Sequence, residues 1–331
     1  MRAAWYERTG PARAVLRVGE LPDPAPGPGE VLVRIRASGV NPSDTKQRGG
    51  WRDATMRFPR VVPHADGAGT IVAAGAGVDG GRVGERVWVW NAVALYDSSR
   101  AFGTAAELCA LPAAQAVPLP AGVDVDAGAC RGVPACTAHR AVFADGPVAG
   151  MTLLVQGGAG AVGHYAVQMA KRGGARVIAT VSSPEKAAHA RTAGADATVD
   201  RRREDVVARV RALAGAGGVD RIIEVDLGAN LAQDAALIRA NGIIASYSST
   251  SVPEPVFPYY PLAFKGVTVR LVQGFNLPAP ARAAAIADIA RWSQEGLVHA
   301  IGARLPLAEI AAAHELVERG GALGNVVVTI D

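Results

Sequence analysis

Residues 151–172 read MTLLVQGGAGAVGHYAVQMAKR. An apolar run at 151–155 leads into GGAGAVG at 157–163, and an amphipathic segment follows. Gly158, Gly160 and Gly163 satisfy G-x-G-x-x-G. That pattern alone is weak evidence, because a glycine-rich turn is often only a tight loop; a strand before it and a helix after it supply the context of a dinucleotide site. Glycines there permit the tight turn, let the backbone approach a pyrophosphate, and bring helix and strand close together. At the helix start, Ala161, Val162 and Gly163 present unpaired N–H groups and the positive end of the helix dipole to an anion.

The texture around this turn extends outward in both directions. Downstream, apolar strands at 176–181, 197–199, 221–225 and 242–247 alternate with helix-like segments at 184–193, 203–214 and 229–240. Strand and helix alternating at that spacing predict βαβ units and a parallel sheet. Upstream, the first ~120 residues are β-rich. Short runs such as VLVRIR (31–36), TIVAA (70–74) and VWVW (87–90) lie between turn-formers, with no sustained helical period. Beyond 267, an alanine-rich helix is expected over 281–296, a second helix opening at Pro306 and running to about Arg319, and a closing strand at 325–330. The division predicted is 1–123, a β-rich domain, 124–266, a doubly wound α/β domain, and 267–331, which holds the last strand of the α/β domain and the return to the first.

Composition narrows the class. The 331 residues are 50% hydrophobic and 19% charged, which argues against disorder. No run approaches ~20 apolar positions, so no membrane span is expected, and the opening MRAAWYERTG lacks the apolar stretch of a secretory signal. Three cysteines, Cys109, Cys130 and Cys136, make neither a disulfide framework nor a four-cysteine zinc site. A reduced, cytoplasmic protein is the expectation. The net charge is +4, but 30 of the 34 basic residues are arginines scattered along the chain. Nucleic acid is not an expected partner, because its footprint is a contiguous basic face.

The nucleotide type is read from the second strand of the α/β region. An NAD site usually carries an acid about 20 residues past the glycines, to bond the ribose 2′-hydroxyl. Here the strand ends in Ser182-Ser183-Pro184-Glu185-Lys186, and Arg201 follows the third strand. Hydroxyls and cations without a carboxylate at the strand tip suit a 2′-phosphate, hence NADPH. The alternative is that Lys186 and Arg201 are solvated surface charges.

With these residues in view, the chain resembles the quinone oxidoreductase (zeta-crystallin-like) branch of the medium-chain dehydrogenase/reductase superfamily over essentially its whole length. The likeness lies in GVNPSDT (39–45), DGAGTIVAAG (66–75), VGERVW (83–88), GTAAE (103–107), GVPACTAHRA (132–141) and GGAGAVG (157–163), in that order. It implies a GroES-like β-rich catalytic domain built from both chain ends, a Rossmann domain between them, and NADPH-dependent reduction of a quinone or an α,β-unsaturated carbonyl. It further implies a homodimer, sometimes a tetramer, paired through the strand at 267–272.

The superfamily also holds zinc alcohol dehydrogenases, whose ligand positions match Asn41, Ala65 and Val133 here. None of these is the Cys or His that Zn²⁺ takes, so a zinc-free enzyme is expected, with His64 one place from a ligand position. Without a Lewis acid the protein's task is to hold the acceptor in near-attack geometry and to offer donors to the developing oxyanion. The resemblance carries over Asn41 as amide donor to the carbonyl or the nicotinamide ribose, and Thr137 as a contact to the nicotinamide face. The bland readings are that Asn41 shapes the turn before Pro42 and that Thr137 caps a helix. Asp44 and Asp66 read as structural. Trp51 stands where many members carry a tyrosine, so no ionisable hydroxyl is carried over. Ser248, Ser249 and Phe275 match the nicotinamide end, and Asn325 matches a lysine near the cofactor phosphates. Trp51, Phe102 and Phe275 are candidates for an apolar wall, and loops 41–60 and 91–102 are expected to shape the pocket. Two other functions fit the same features. One is an enoyl-thioester reductase, whose cleft needs a basic mouth. The other is a cofactor-binding structural protein with little turnover.

Overall fold

The computed structural model describes residues 1–51, 56–93 and 101–331; parts of the two pocket-shaping loops, 52–55 and 94–100, lie outside the described residues. The chain divides into two compact units, Met1–Pro134 with Asp288–Asp331, and Ala135–Ala287. These boundaries fall at 134/135 and 287/288; the sequence reading divides the chain at 123/124 and 266/267, with the last strand of the α/β domain lying beyond the second break.

In the second unit, the described strands form one parallel sheet. Their spatial order is Ala197–Asp200, Arg176–Val181, Thr152–Val155, Val219–Glu224, Ile238–Ser246 and Thr268–Leu271. This is the 3-2-1-4-5-6 order of a doubly wound sheet. Strands covered on both faces read as continuous apolar runs rather than alternations, and Leu153, Leu154 and Val155 are all fully buried. Leu154, Ile178, Val199 and Ile222 share one apolar cluster with Val206 and Val210 of the helix Val206–Ala214 and with Leu231 and Ala235 of the helix Leu227–Leu237. Strand order reverses between Thr152–Val155 and Val219–Glu224, so the glycine turn leaves the sheet at its topological switch point, where ligands of open α/β sheets bind.

The first unit is built on a sheet ordered Ile301–Pro306, Asn325–Thr329, Glu30–Val40, Asp66–Ala74, Arg86–Val89 and Ala116–Pro118. Leu108–Pro112 also pairs with Glu30–Val40. Val31, Val33 and Ile35 alternate inward onto Ile71, Val87 and Leu111. The two ends of the chain share a core: Ala3, Ala4 and Val40 pack with Leu307, Ile310, Ala313, Val326 and Val328.

Two elements depart from the sequence reading. The helix Pro42–Gly49 carries no apolar stripe; it forms because Asn41 and Asp44 make a reciprocal capping box and proline stands at its first turn. Pro306 ends the strand Ile301–Pro306, and the helix starts only at Ile310 after a 3₁₀ turn, Leu307–Glu309. Parallel pairing with Asn325–Thr329 stabilises that strand, a long-range contact with no local signal. Leu154→Ala, which opens a cavity under the α/β sheet, is expected to destabilise the protein by about 2–5 kcal/mol, measured by the shift of the urea unfolding midpoint.

Candidate functional site

The glycine turn is shaped by backbone contacts. Gly157 sits at φ +70°, the left-handed region that favours glycine. Its N–H donates to Thr180 Oγ1 (2.9 Å) and its carbonyl accepts from Gly160 N–H (3.0 Å). A Cβ on Gly163 would lie 2.2 Å from the Gly157 oxygen, and one on Gly158 2.7 Å from the Ala179 Cβ. Internal packing therefore demands glycine at 158 and 163. Gly160 is different: its φ is −76°, it is exposed, and a Cβ there would meet nothing nearer than Gly157 O at 3.5 Å. Among the described residues, no contact calls for glycine at 160.

The helix Ala161–Arg172 begins at Gly160 with no side-chain cap and no acid in its first turn, and its first internal bond runs from His164 N to Gly160 O (2.8 Å). Orphan N–H groups at such an end bind anions. The residues chosen for a 2′-phosphate gather at the tip of the neighbouring strand. Arg176–Val181 ends just before Ser182, Ser183 caps the next helix by accepting from Lys186 N–H (3.2 Å), and Arg201 N–H donates to Val181 O (2.9 Å). Arg201 is exposed, and Ser182 and Lys186 are half-buried.

Other residues predicted for this half are more committed to the protein. Ser249 Oγ donates to Val252 O (2.6 Å) and accepts from Gly228 N–H (2.9 Å); Ser248 Oγ pairs with Thr250 Oγ1 (2.9 Å). Phe275 is half-buried. Thr137 is buried in the helix Cys136–Phe143. It does not cap that helix. The cap position is Ala135, at the end of a π-helical turn, Arg131–Ala135, that leads into it.

In the first unit, Asn41 is buried and fixed by carboxylates. Its N–H donates to Asp44 Oδ2 (2.8 Å) and its Nδ2 donates to Asp66 Oδ2 (2.8 Å). Asp66 is fully buried and takes Val133 N–H on both oxygens, at 3.0 and 2.8 Å. Burial pushes the Asp66 carboxyl well above its usual range against these donors, and pushes Asp44 up to about 7. Both aspartates are structural, as read from the sequence, and both act on Asn41.

His64 is likewise part of the core. Its ring bonds Ser38 Oγ through Nδ1 (2.8 Å) and His314 Nε2 through Nε2 (2.9 Å). Thr104 Oγ1 donates to Asp66 O (2.5 Å), so it accepts from Ser38 (2.7 Å), and Ser38 accepts from His64 Nδ1–H. Neutral His64 then accepts at Nε2 from His314. Burial holds His64 down to about 3, so it stays neutral at physiological pH. Its φ of +77° is uncommon for a non-glycine residue and is held by these bonds.

Trp51 and Phe102 are partly exposed, and Lys46 Nζ lies 4.8 Å above the Trp51 ring. Asn325 in the strand Asn325–Thr329 spends both its N–H and its Nδ2 on Ala300 O, each at 2.8 Å. The positions matching zinc ligands hold Asn41, Ala65 and Val133. Among the described residues, no group of three or more His, Cys, Asp or Glu is arranged to hold a metal. These residues do not fit a catalytic zinc. Sequence reasoning missed Thr180 and Gln156, which support the glycine turn. Their only signal is polarity in an apolar strand, for Thr180, and just past the end of one, for Gln156.

The chain matches the zinc-binding dehydrogenase family over residues 161–291 and the alcohol dehydrogenase GroES-like domain over residues 27–121. It is 30% identical to a quinone oxidoreductase of Lama guanicoe, covering 100% of this chain and 98% of that protein. Among solved structures it is similar to an NAD-dependent alcohol dehydrogenase, with 28% identity and a TM-score of 0.90 over the whole of both chains. A mycobacterial protein solved in complex with NADPH is similar at 32% identity and a TM-score of 0.86, again over both whole chains.

Gly160→Ala is expected to leave the melting temperature almost unchanged, because the added methyl meets only ordinary contacts. Gly163→Ala is expected to cost about 1–3 kcal/mol from the clash with a backbone oxygen. Thermal unfolding of the two variants, compared side by side, checks this contrast.

Proposed function

This chain belongs to the quinone oxidoreductase branch of the medium-chain dehydrogenase/reductase superfamily, and we propose that it is an NADPH-dependent reductase of quinones or α,β-unsaturated carbonyls that works without a metal. The observation that carries the reading is the open Gly160 at an uncapped helix N-terminus on the switch point of the sheet. Bound there, NADPH supplies a hydride from its nicotinamide ring.

The chain's own residues bind, orient and polarise. Main-chain N–H groups of Ala161, Val162 and Gly163 hold the pyrophosphate. Ser182, Lys186 and Arg201 hold the 2′-phosphate, where the strand Arg176–Val181 is followed by Ser182 rather than by an acid. Thr137 faces the nicotinamide, with Ser248, Ser249 and Phe275 at the same end. Asn325 keeps a hydrogen-bonding role toward the phosphates only through atoms not already bonded to Ala300. Asn41 donates through Nδ2 to Asp66, and the same amide serves the acceptor carbonyl. Such a preorganised donor stabilises charge developing on oxygen, and conjugated acceptors spread that charge without needing a Lewis acid. Trp51 offers an apolar face or an indole N–H to the acceptor.

The edge of the parallel sheet supports a homodimer. Thr268–Leu271 is its last strand, with Leu271 75% exposed, and nearby Phe264 is 86% exposed. An unpaired edge beside exposed apolar side chains is a surface for a second copy. Among the described residues no helix is long and apolar enough to cross a membrane.

Mixing the protein with NADPH and a panel of quinones, enones and enoyl-thioesters tests the activity. Loss of reduced-nicotinamide absorbance is expected with quinones or enones. Turnover of enoyl-thioesters alone makes the protein an enoyl-thioester reductase, and binding without turnover makes it a structural protein. Lys186→Ala with Arg201→Ala is expected to weaken NADPH about ten-fold or more while sparing NADH, since two charge-assisted contacts are lost; equal weakening of both nucleotides refutes the phosphate assignment. Leu271→Lys with Phe264→Glu is expected to move the protein from dimer to monomer in sedimentation.

A further inference from the structure

Three elements meet at the C-terminal edge of the parallel sheet through buried polar groups that the proposed chemistry does not use. Thr180, on the strand Arg176–Val181, holds two consecutive glycines: its Oγ1 accepts from Gly157 N–H (2.9 Å) and its main-chain oxygen accepts from Gly158 N–H (3.0 Å). With its lone pair used by Gly157, the hydroxyl donates to Gln156 Oε1 (2.7 Å). Gln156 Nε2 donates in turn to Asp234 Oδ1 (3.1 Å) on the helix Leu227–Leu237. Thr180, Gln156, Asp234 and Glu224 are all at least nine-tenths buried.

The far end of this chain is a carboxyl pair. Glu224 Oε1 accepts from the N–H of Asp226 and from Asn230 Nδ2 (3.0 Å). The remaining oxygens, Glu224 Oε2 and Asp234 Oδ2, are buried with no hydrogen-bond partner among the described residues. Two carboxylates cannot both stay ionised there. One proton shared between those oxygens satisfies both. Glu224 already accepts two N–H donors, which favour its ionised form, so the proton resides on Asp234. Burial raises both groups, and the charge of Glu224 raises Asp234 further. Every donor and acceptor in the row then has a single assignment, running from neutral Asp234 through Gln156 and Thr180 to the amide of Gly157.

We propose that Thr180, Gln156 and Asp234 form a positioning relay that locks the left-handed Gly157 and so aims the N–H groups of Ala161, Val162 and Gly163 at the cofactor pyrophosphate. None of these residues touches the ligand. Their effect passes through Gly157, whose N–H they hold and whose carbonyl closes the turn onto Gly160. The relay deepens the nucleotide-site reading given above and rests on it for its functional consequence.

The experiment compares Thr180→Val, Thr180→Ser and Asp234→Asn in the full chain. Valine keeps the shape of threonine but strands the Gly157 N–H and Gln156 Oε1. Serine keeps the hydroxyl. Asparagine can donate to Glu224 and accept from Gln156, as a protonated aspartic acid does. Thr180→Val is expected to raise the NADPH dissociation constant about ten-fold, equivalent to about 1.4 kcal/mol. Its kcat with para-benzoquinone at saturating NADPH should stay within two-fold of the parent, while serine and asparagine bind within two-fold. Amide exchange at 157–163, measured without nucleotide, should accelerate in Thr180→Val alone. Equal binding and equal exchange in the valine and serine variants overturns the relay, and strong loss in Asp234→Asn overturns the protonation assignment on which it depends. If the parent protein binds neither NADPH nor NADH, the nucleotide reading fails by itself, and the exchange data still decide the relay.

Discussion

The approach of Gly163 to the carbonyl oxygen of Gly157 leaves no room for a side chain: a Cβ would sit at 2.2 Å. That distance draws the helix Ala161–Arg172 back onto the strand Thr152–Val155, and it brings the first helical N–H groups to the end of the sheet. With the helix start so placed, the orphan donors of its first turn and the reversal of strand order coincide in one crevice. A longer connection would satisfy the same strand and helix, but it would separate the dipole end from the switch point.

The first unit solves a comparable problem with buried carboxyls rather than close backbone contacts. Asn41 lies at the junction of a strand and a short polar helix, where propensity alone gives little order. Asp44 holds its main chain and Asp66 holds its side chain, and Asp66 is itself fixed by Val133 N–H. Burying a carboxylate is costly unless its oxygens are bonded, so this arrangement is stable only while all partners are present. The hydroxyl–imidazole row from Thr104 to His314 adds a second set of bonded polar groups to the same core, and among the described residues only His314 Nδ1 in it lacks a partner. Such cores specify one geometry, because any rotation leaves a donor or an acceptor stranded.

The parallel sheet was legible because its strands are continuous apolar runs and its glycines punctuate one turn; each expected strand of 151–247 appears within a few residues of its place. The strand Ile301–Pro306 was not legible, since its partner Asn325–Thr329 lies some 20 residues away and its own residues include glycine, arginine and proline. The helix Pro42–Gly49 escaped notice because capping, not amphipathicity, defines it. In the site, Asn41 and the glycine turn could be named as candidates from the chain, but His64 was placed only as one position from a ligand site. The structure makes it a core residue with both ring nitrogens engaged.

Local order in the chain decided that strands and helices alternate from 150 onward and that a glycine turn joins the first such pair. These are properties of residue type and spacing, which act over a few positions. Which polar groups meet in the interior was settled only by folding. The contacts of Thr180 with Gln156, of Gln156 with Asp234, and of Asn41 with Asp66 join residues 24, 78 and 25 positions apart. A hydrogen bond has no periodicity along the chain. It is selected when packing removes water from both partners and leaves each with no other way to be satisfied.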